Sequence, residues 1–227
     1  MARLQPQLWP ALEQIFAMLA ASEPPLATMA AERVPAPGPR LANTTLFFWR
    51  ALGLGSAEAW LGGAARQAAQ GGDAARQWAA LQRDIALLSE QHHASTPVPG
   101  EWRPHPLPLQ LGDTLQLATW FARALPVDDD GADPGKHPRD KPASGGRDFV
   151  LDVAFAHFGR LRFRGQAWPK RLDLAIASAR PLPDSLRDGA RAVFQSALDA
   201  AGITGTLAFT LGLGAADLPV APYSAWR

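Results

Sequence analysis

Large apolar residues recur at every second position on both sides of a turn between residues 149 and 163, which is the period of a β-strand with one covered face. They are Phe149, Leu151, Val153, Phe155, Leu161 and Phe163. Gly159 lies between the two runs, and glycine adopts the backbone conformations that tight turns need. The pattern therefore predicts a β-hairpin.

Three more elements are predicted after the hairpin. A break over 165–170 precedes a strand from Arg171 to Ser178, and prolines at 181 and 183 introduce a helix from Asp184 to Ala201 that Gly202 ends. The apolar stripe of that helix is Leu186, Ala190, Val193, Phe194, Ala197 and Leu198. A last strand is expected from Thr206 to Leu211, so residues 148–213 form a small α+β domain.

In residues 1–95 the apolar residues recur at spacings of three and four, which predicts a helical region. Leu12, Ile15 and Leu19 share one stripe of a first helix, which Pro24 and Pro25 end. Three short helices follow over 43–93, and their N-caps are predicted at Asn43, Ser56 and Asp73.

Two polar or proline-rich segments separate the patterned regions. Residues 96–125 contain a connector with five prolines, which suits neither a helix nor a central strand, and then a strand from Thr114 to Ala124. Residues 126–147 are rich in Asp, Gly and Pro and predict a flexible loop, while residues 214–227 form a tail without periodicity. The fold class is α+β, with a helical region followed by a mixed or antiparallel sheet that carries one helix.

Composition excludes several classes of function. The chain has 22 Lys and Arg against 21 Asp and Glu, so no net field attracts the whole molecule to nucleic acid or to anionic lipid. No cysteine is present, which excludes disulfides and thiolate chemistry and fits a reducing compartment. No segment has the roughly 18 to 20 apolar residues of a membrane span, so we expect a soluble, cytoplasmic protein without membrane insertion.

Catalytic and metal-binding patterns are also missing from the sequence. None of the pairs among the five histidines has the helical spacing that directs two imidazoles at one metal ion. No Gly-x-Ser-x-Gly sequence occurs, and the acidic run Asp128 to Asp130 falls in the predicted loop, where nothing fixes its geometry. We therefore predict no catalytic, metal or cofactor residues, no small-molecule substrate and no enzymatic activity.

The arginine row is the most distinctive charged feature. Arg160, Arg162 and Arg164 fall on one face of the second hairpin strand. Such a row is typical of a solvated outer face or of edge protection, and it also suits an anionic partner. The alternative function is accordingly a nucleic-acid-binding module that uses this arginine face.

The order of elements after residue 148 resembles the C-terminal domain of flagellar hook-length control proteins. The similarity covers Phe158 and Gly159 at the turn, the strand over 172–176, Leu186 and Arg187 at the helix start, residues 200–203 at its end, and the strand over 207–209.

This resemblance implies a protein of flagellar assembly that acts on type III export substrate switching by binding the cytoplasmic domain of the export gate. It also implies that the chain itself could be exported through that apparatus. The predicted partner-binding residues are Phe158, Gly159, Arg160, Arg162 and Arg164.

Overall fold

The computed structural model describes residues 9–94, 100–125, 145–155 and 157–213, and it confirms the α+β class. The described residues fall into two compact units. The first, the helical unit, holds 9–94 and 105–119, and the second, the sheet unit, holds 100–104 and the described residues from Trp120 onward. None of the described helices is long and apolar enough to cross a membrane.

Six helices make up most of the helical unit. They are α1 (Pro10–Ser22), α2 (Pro24–Ala31), α3 (Leu41–Gly53), α4 (Ala57–Leu61), α5 (Gly63–Ala68) and α6 (Gly72–Ala94). The stripe predicted for α1 is buried, with Leu12, Ile15 and Leu19 all fully inaccessible. Trp60 lies at the centre of this core, in edge contact with Phe48 at 4.7 Å between ring centroids. Packing of apolar stripes therefore holds the helices together.

The predicted helix starts are confirmed only in part. The Ser56 side chain accepts a hydrogen bond from the Ala59 amide at 3.1 Å, as an N-cap should. Asn43 is not a cap, because α3 already begins at Leu41, and Asp73 lies in the first turn of α6 rather than before it. Pro24 ends α1 and also begins α2, since the fixed φ of proline suits the first helical position.

The proline-rich segment was predicted to be a connector that holds neither a helix nor a central strand, and within it Arg103–Leu111 forms strand β1. β1 is an edge strand of the sheet. The Gln110 amide donates outward to the Pro35 carbonyl, and the Pro106 carbonyl accepts from the Trp49 indole at 2.8 Å. The prolines at 104, 106 and 108 lie an even number of positions from Gln110, so their backbones face the same outer edge. Their missing N–H groups fall on that edge, where the ladder does not need them.

The remaining strands are β2 (Thr114–Ala124), β3 (Arg147–Phe155), β4 (Gly159–Trp168), β5 (Arg171–Ser178) and β6 (Thr204–Leu211). The sheet order is β1-β2-β3-β4-β5-β6, with β5 and β6 parallel and the pairs from β2 to β5 antiparallel. The hairpin is confirmed, with Phe155 opposite Gly159. β4 does not break at Gly165 as predicted but continues to Trp168.

Helix α7 (Asp184–Ala201) connects β5 to β6 and has the predicted bounds. Gly202 ends it in the left-handed conformation at φ +64°, where glycine carries no steric penalty. β6 begins at Thr204, two residues before its predicted start. The predicted loop ends earlier than expected because Arg147 belongs to β3; residues 126–144 and the predicted tail lie outside the described residues.

Candidate functional site

The sheet of the second unit has two chemically different faces. Because directly opposed residues in neighbouring strands point to the same side, the strand registers assign every residue to a face. The polar face carries the buried apolar residues Phe121 and Val150 and the polar residues Asp148, Asp152, Arg160, Arg162, Arg164, Gln166, Arg171, Asp173 and Thr206. The apolar face carries Trp120, Phe149, Leu151, Val153, Leu161, Phe163, Leu172, Leu174, Ile176, Leu207 and Phe209.

Two of the predicted partner-binding arginines are held by one carboxylate. Asp152 faces Arg162 across the β3–β4 pair and accepts hydrogen bonds from its Nε at 2.8 Å and its Nη2 at 3.0 Å. Arg160 forms an ion pair with the same carboxylate, and Arg162 also donates to the Leu213 carbonyl at 2.7 Å. The side chains of Arg162 and Asp152 are only 14% and 18% exposed. This cluster is therefore an internal element of the sheet unit.

The titration of Asp152 reflects this environment. Burial alone would raise the pKa of the Asp152 carboxyl, but hydrogen bonds from Arg162 and the charge of Arg160 outweigh burial and hold it below its ordinary value. The same hydrogen bonding with Asp152 raises the pKa of Arg162. Asp152 is consequently ionised near neutral pH and compensates the arginines.

The other predicted partner-binding residues, Phe158, Gly159 and Arg164, do not form one surface of unpaired charges. Arg164 is exposed, and no ion pair is seen for it within the described part of the chain. Phe158 lies in the hairpin turn with 36% exposure, beside Gly159 at φ +71°. Further along the polar face, Arg171 pairs with Asp173 at 2.7 Å. Since Asp152 and Asp173 pair with three of these four arginines, the face offers fewer free cations for binding nucleic acid than the sequence suggested.

A partly buried ion pair lies on the polar face near the start of β3. Asp148 is fully inaccessible and accepts hydrogen bonds from Arg123 Nε at 3.0 Å and Nη2 at 2.7 Å. The Arg123 guanidinium also lies 4.5 Å from the ring centroid of Trp102. Removing either charge would leave the other without compensation, so this pair is structural.

On the apolar face, a helix covers only the part of the sheet that β5 and β6 form. α7 is the only helix of the sheet unit among the described residues, and it contacts β6 and lies over β5. A helix about 10 Å wide covers roughly two strands spaced about 4.8 Å apart. Phe149, Leu151 and Phe163, on β3 and β4, remain partly exposed.

Aromatic packing organises this exposed part of the face. The rings of Trp120 and Phe149 are stacked with centroids 5.0 Å apart. Phe149 lies across Gly165, where a Cβ atom would collide with its ring. Gly165 therefore keeps β4 regular and lets the aromatic pair lie flat on the sheet.

A groove runs along the boundary between α7 and the apolar face. Its volume is about 510 Å³. It is lined by Leu174, Ile176, Ser185, Leu186, Gly189, Ala190, Val193, Phe194, Ala197 and Leu207. Of the stripe predicted to bury α7, only Leu198 is fully buried, whereas Val193 is 71% exposed. We call this feature the α7 groove.

The chemistry of the α7 groove is that of a contact surface. Its lining contains no ionisable side chain and one hydroxyl, Ser185, so it supplies no acid, base or charged ligand. Within the described ranges, no group of three or more His, Asp or Glu residues could hold a metal ion. An exposed apolar groove beside a helix is instead typical of a site that receives an apolar segment.

The sequence predictions missed the α7 groove because they treated the helix stripe as core. One signal was present: the strands after residue 148 carry large residues on one face, and a single predicted helix is too narrow to cover them.

Comparisons with protein families, with curated proteins and with solved structures found no match to this chain.

Proposed function

We propose that this chain is a non-enzymatic protein-binding module related to flagellar hook-length control proteins. It acts in the cytoplasm on type III export substrate switching by binding the cytoplasmic domain of the export gate. The order of β3, β4, β5, α7 and β6 supports this relation, since it is the order that the resemblance implies. The single observation that carries a binding function is the α7 groove, an exposed apolar site between α7 and strands β5 and β6.

We assign the groove to a helical segment of the partner. A second helix beside α7 would cover the half-buried residues of β3 and β4 and complete the layer that α7 begins. The wall of α7 that lines the groove contains small or uncharged residues, Ser185, Gly189, Val193 and Ala197, which permit close helix packing. The charges of α7 lie elsewhere, as in the pairs Asp184 with Arg187 and Asp188 with Arg191.

Two segments of this chain are poorer occupants of the groove. A second copy that placed its own α7 there would press Asp199 and the Asp188–Arg191 pair against an apolar sheet, and taking charges out of water is costly even when they are paired. The segment 126–144 is too polar to cover large apolar side chains. A partner helix with its own polar side toward solvent avoids both costs.

A single-cysteine experiment tests the function and the site together. Because the chain contains no cysteine, Val193→Cys introduces a unique thiol in the groove and Ala192→Cys introduces one on the exposed side of the same helix. The purified cytoplasmic domain of the export gate should slow maleimide labelling at position 193 by about tenfold and leave position 192 nearly unchanged.

The outcomes separate the two parts of the proposal. Absence of binding by the wild-type chain at high micromolar concentrations of the gate domain would contradict the function. Binding with equal labelling at both positions would retain the function and reject the α7 groove as the site. Binding to nucleic acid that weakens steeply with salt would favour the alternative function instead.

A further inference from the structure

The two edges of the sheet are protected to very different degrees. β1 carries three prolines, and its outer groups bond to Trp49 and Pro35. β6, at the other edge, has the sequence Thr-Gly-Thr-Leu-Ala-Phe-Thr-Leu, with no charge and no proline. Uncharged edge strands of this length are templates for pairing with another strand.

The outward backbone groups of β6 can be assigned from its bonds to β5. The amides of Thr204, Thr206 and Gly212 bond toward β5, to Lys170 O, Asp173 Oδ1 and Ser178 O. Since successive residues of a strand bond to opposite sides, the odd-numbered residues Gly205 to Leu211 direct their N–H and C=O groups outward. No residue of β6 is fully buried, and among the described residues no hydrogen bond to its outward backbone groups is seen.

We infer that β6 is an interface through which two copies of this chain pair antiparallel. The strand is nearly palindromic about Ala208, with Leu and Phe on either side of it and Thr next in both directions. A two-fold axis at Ala208 places Thr206 opposite Thr210 of the second copy and Leu207 opposite Phe209. Both are favourable cross-strand pairs, and every outward group of the paired segment finds a partner.

This register explains why the occupant is a second copy rather than an arbitrary strand. The odd-numbered residues become the hydrogen-bonded pairs, and Ala208 faces its own counterpart across the axis, where a small side chain fits. The interface is isologous and closes at two chains, so it does not produce a filament. Leu207 also lines the α7 groove, but the inference rests on the outward backbone groups of β6 and on the sequence of that strand, so it does not depend on the proposed function.

Charge substitution at the axis tests the pairing directly. Ala208 is exposed, and Ala208→Lys or Ala208→Glu places two like charges opposite each other only in the proposed dimer. By sedimentation equilibrium, the wild-type chain should reach twice its 24.3 kDa mass as concentration rises. Each variant should weaken this association by at least about tenfold. Mixing the two variants should restore it.

Controls keep the outcome unambiguous. Ala79→Lys introduces the same charge at an exposed alanine of α6 and should leave the association unchanged. Far-ultraviolet circular dichroism should match wild type for all variants. A wild-type chain of single mass at every concentration would overturn the inference. So would lysine and glutamate variants that dimerise as wild type does, or a mixture that fails to associate although each variant is folded.

Discussion

Asp152 and Arg162 face each other across the β3–β4 pair, and the carboxylate accepts two hydrogen bonds from the guanidinium. Arg160 pairs with the same carboxylate, so one aspartate compensates two arginines of the predicted row. Arg160 and Arg162 are thereby part of the scaffold that fixes the hairpin, and the apolar face on the other side of the sheet is the surface that we propose for binding.

Removing this carboxylate should destabilise the sheet unit. Asp152→Ala leaves two poorly exposed guanidinium groups without compensation, and we expect a loss of about 1–3 kcal/mol in the free energy of unfolding. Urea unfolding, monitored through amide exchange in β3 and β4, measures this loss of stability. Arg164→Ala, at an exposed position of the same strand, should change stability by less than about 0.5 kcal/mol. Equal effects of the two variants would show that the cluster is not structural.

The stability of the sheet unit should fall in acid. The pKa values of Asp152 and Asp173 are lowered in the folded chain, so both carboxyls bind protons more readily after unfolding. Their contribution is complete above the unfolded pKa of about 3.9 and is lost as pH falls through the lower folded values. Asp152→Asn should flatten the decline between about pH 5 and pH 2, as measured by unfolding at a series of pH values. An unchanged slope in this variant would contradict the pairing.

Asp84 in α6 should have the opposite effect on the pH dependence of stability. Burial raises its pKa, against a hydrogen bond from the Trp9 indole at 2.8 Å and the charge of Arg83, so ionisation destabilises the folded chain. Its penalty is complete above the folded pKa and disappears as pH falls below the unfolded value. Asp84→Asn retains an acceptor for Trp9 and should match or exceed wild-type stability at pH 7. Asp84→Ala removes the acceptor and should lose about 1 kcal/mol.

Gly165 should not tolerate a side chain. A Cβ atom there collides with the Phe149 ring that stacks on Trp120, and we expect Gly165→Ala to cost about 1–3 kcal/mol. Phe149→Leu in the same chain should recover part of that loss because it removes the ring. Gly189→Ala is the matched control: its Cβ meets nothing within 4 Å, and it should stabilise α7 by about 0.5–1 kcal/mol. Thermal unfolding of the variants shows whether each substitution stabilises or destabilises the chain.

Local patterns predicted most elements of the sheet unit. The hairpin, β5 and α7 follow from alternation, prolines and glycine stops, which act within a few residues. The Asp152 pairing also follows from the sequence once Phe155 is placed opposite Gly159, because that register brings Asp152 opposite Arg162. It was missed because the arginines were considered without the strand across from them.

Other features depend on residues distant in the sequence. The prolines of β1 disrupt most strands and are accommodated here because β1 is an edge strand, whose outer side needs no N–H group for the ladder. Asn43 is a strong capping residue, yet α3 begins before it, since tertiary packing outweighs local preference. The openness of the α7 groove could not be predicted from the stripe of α7, because burial depends on where the helix rests on the sheet.

The most direct test of the account is the affinity of the export-gate cytoplasmic domain for two charge variants of α7. Val193→Glu places a carboxylate in the apolar groove, and Ala192→Glu places the same charge on the exposed side one residue away. By isothermal titration calorimetry, Val193→Glu should weaken binding by at least about tenfold, or about 1.4 kcal/mol, whereas Ala192→Glu should bind as wild type does. Equal affinity of both variants and the wild-type chain would contradict the claim that the α7 groove is the binding site.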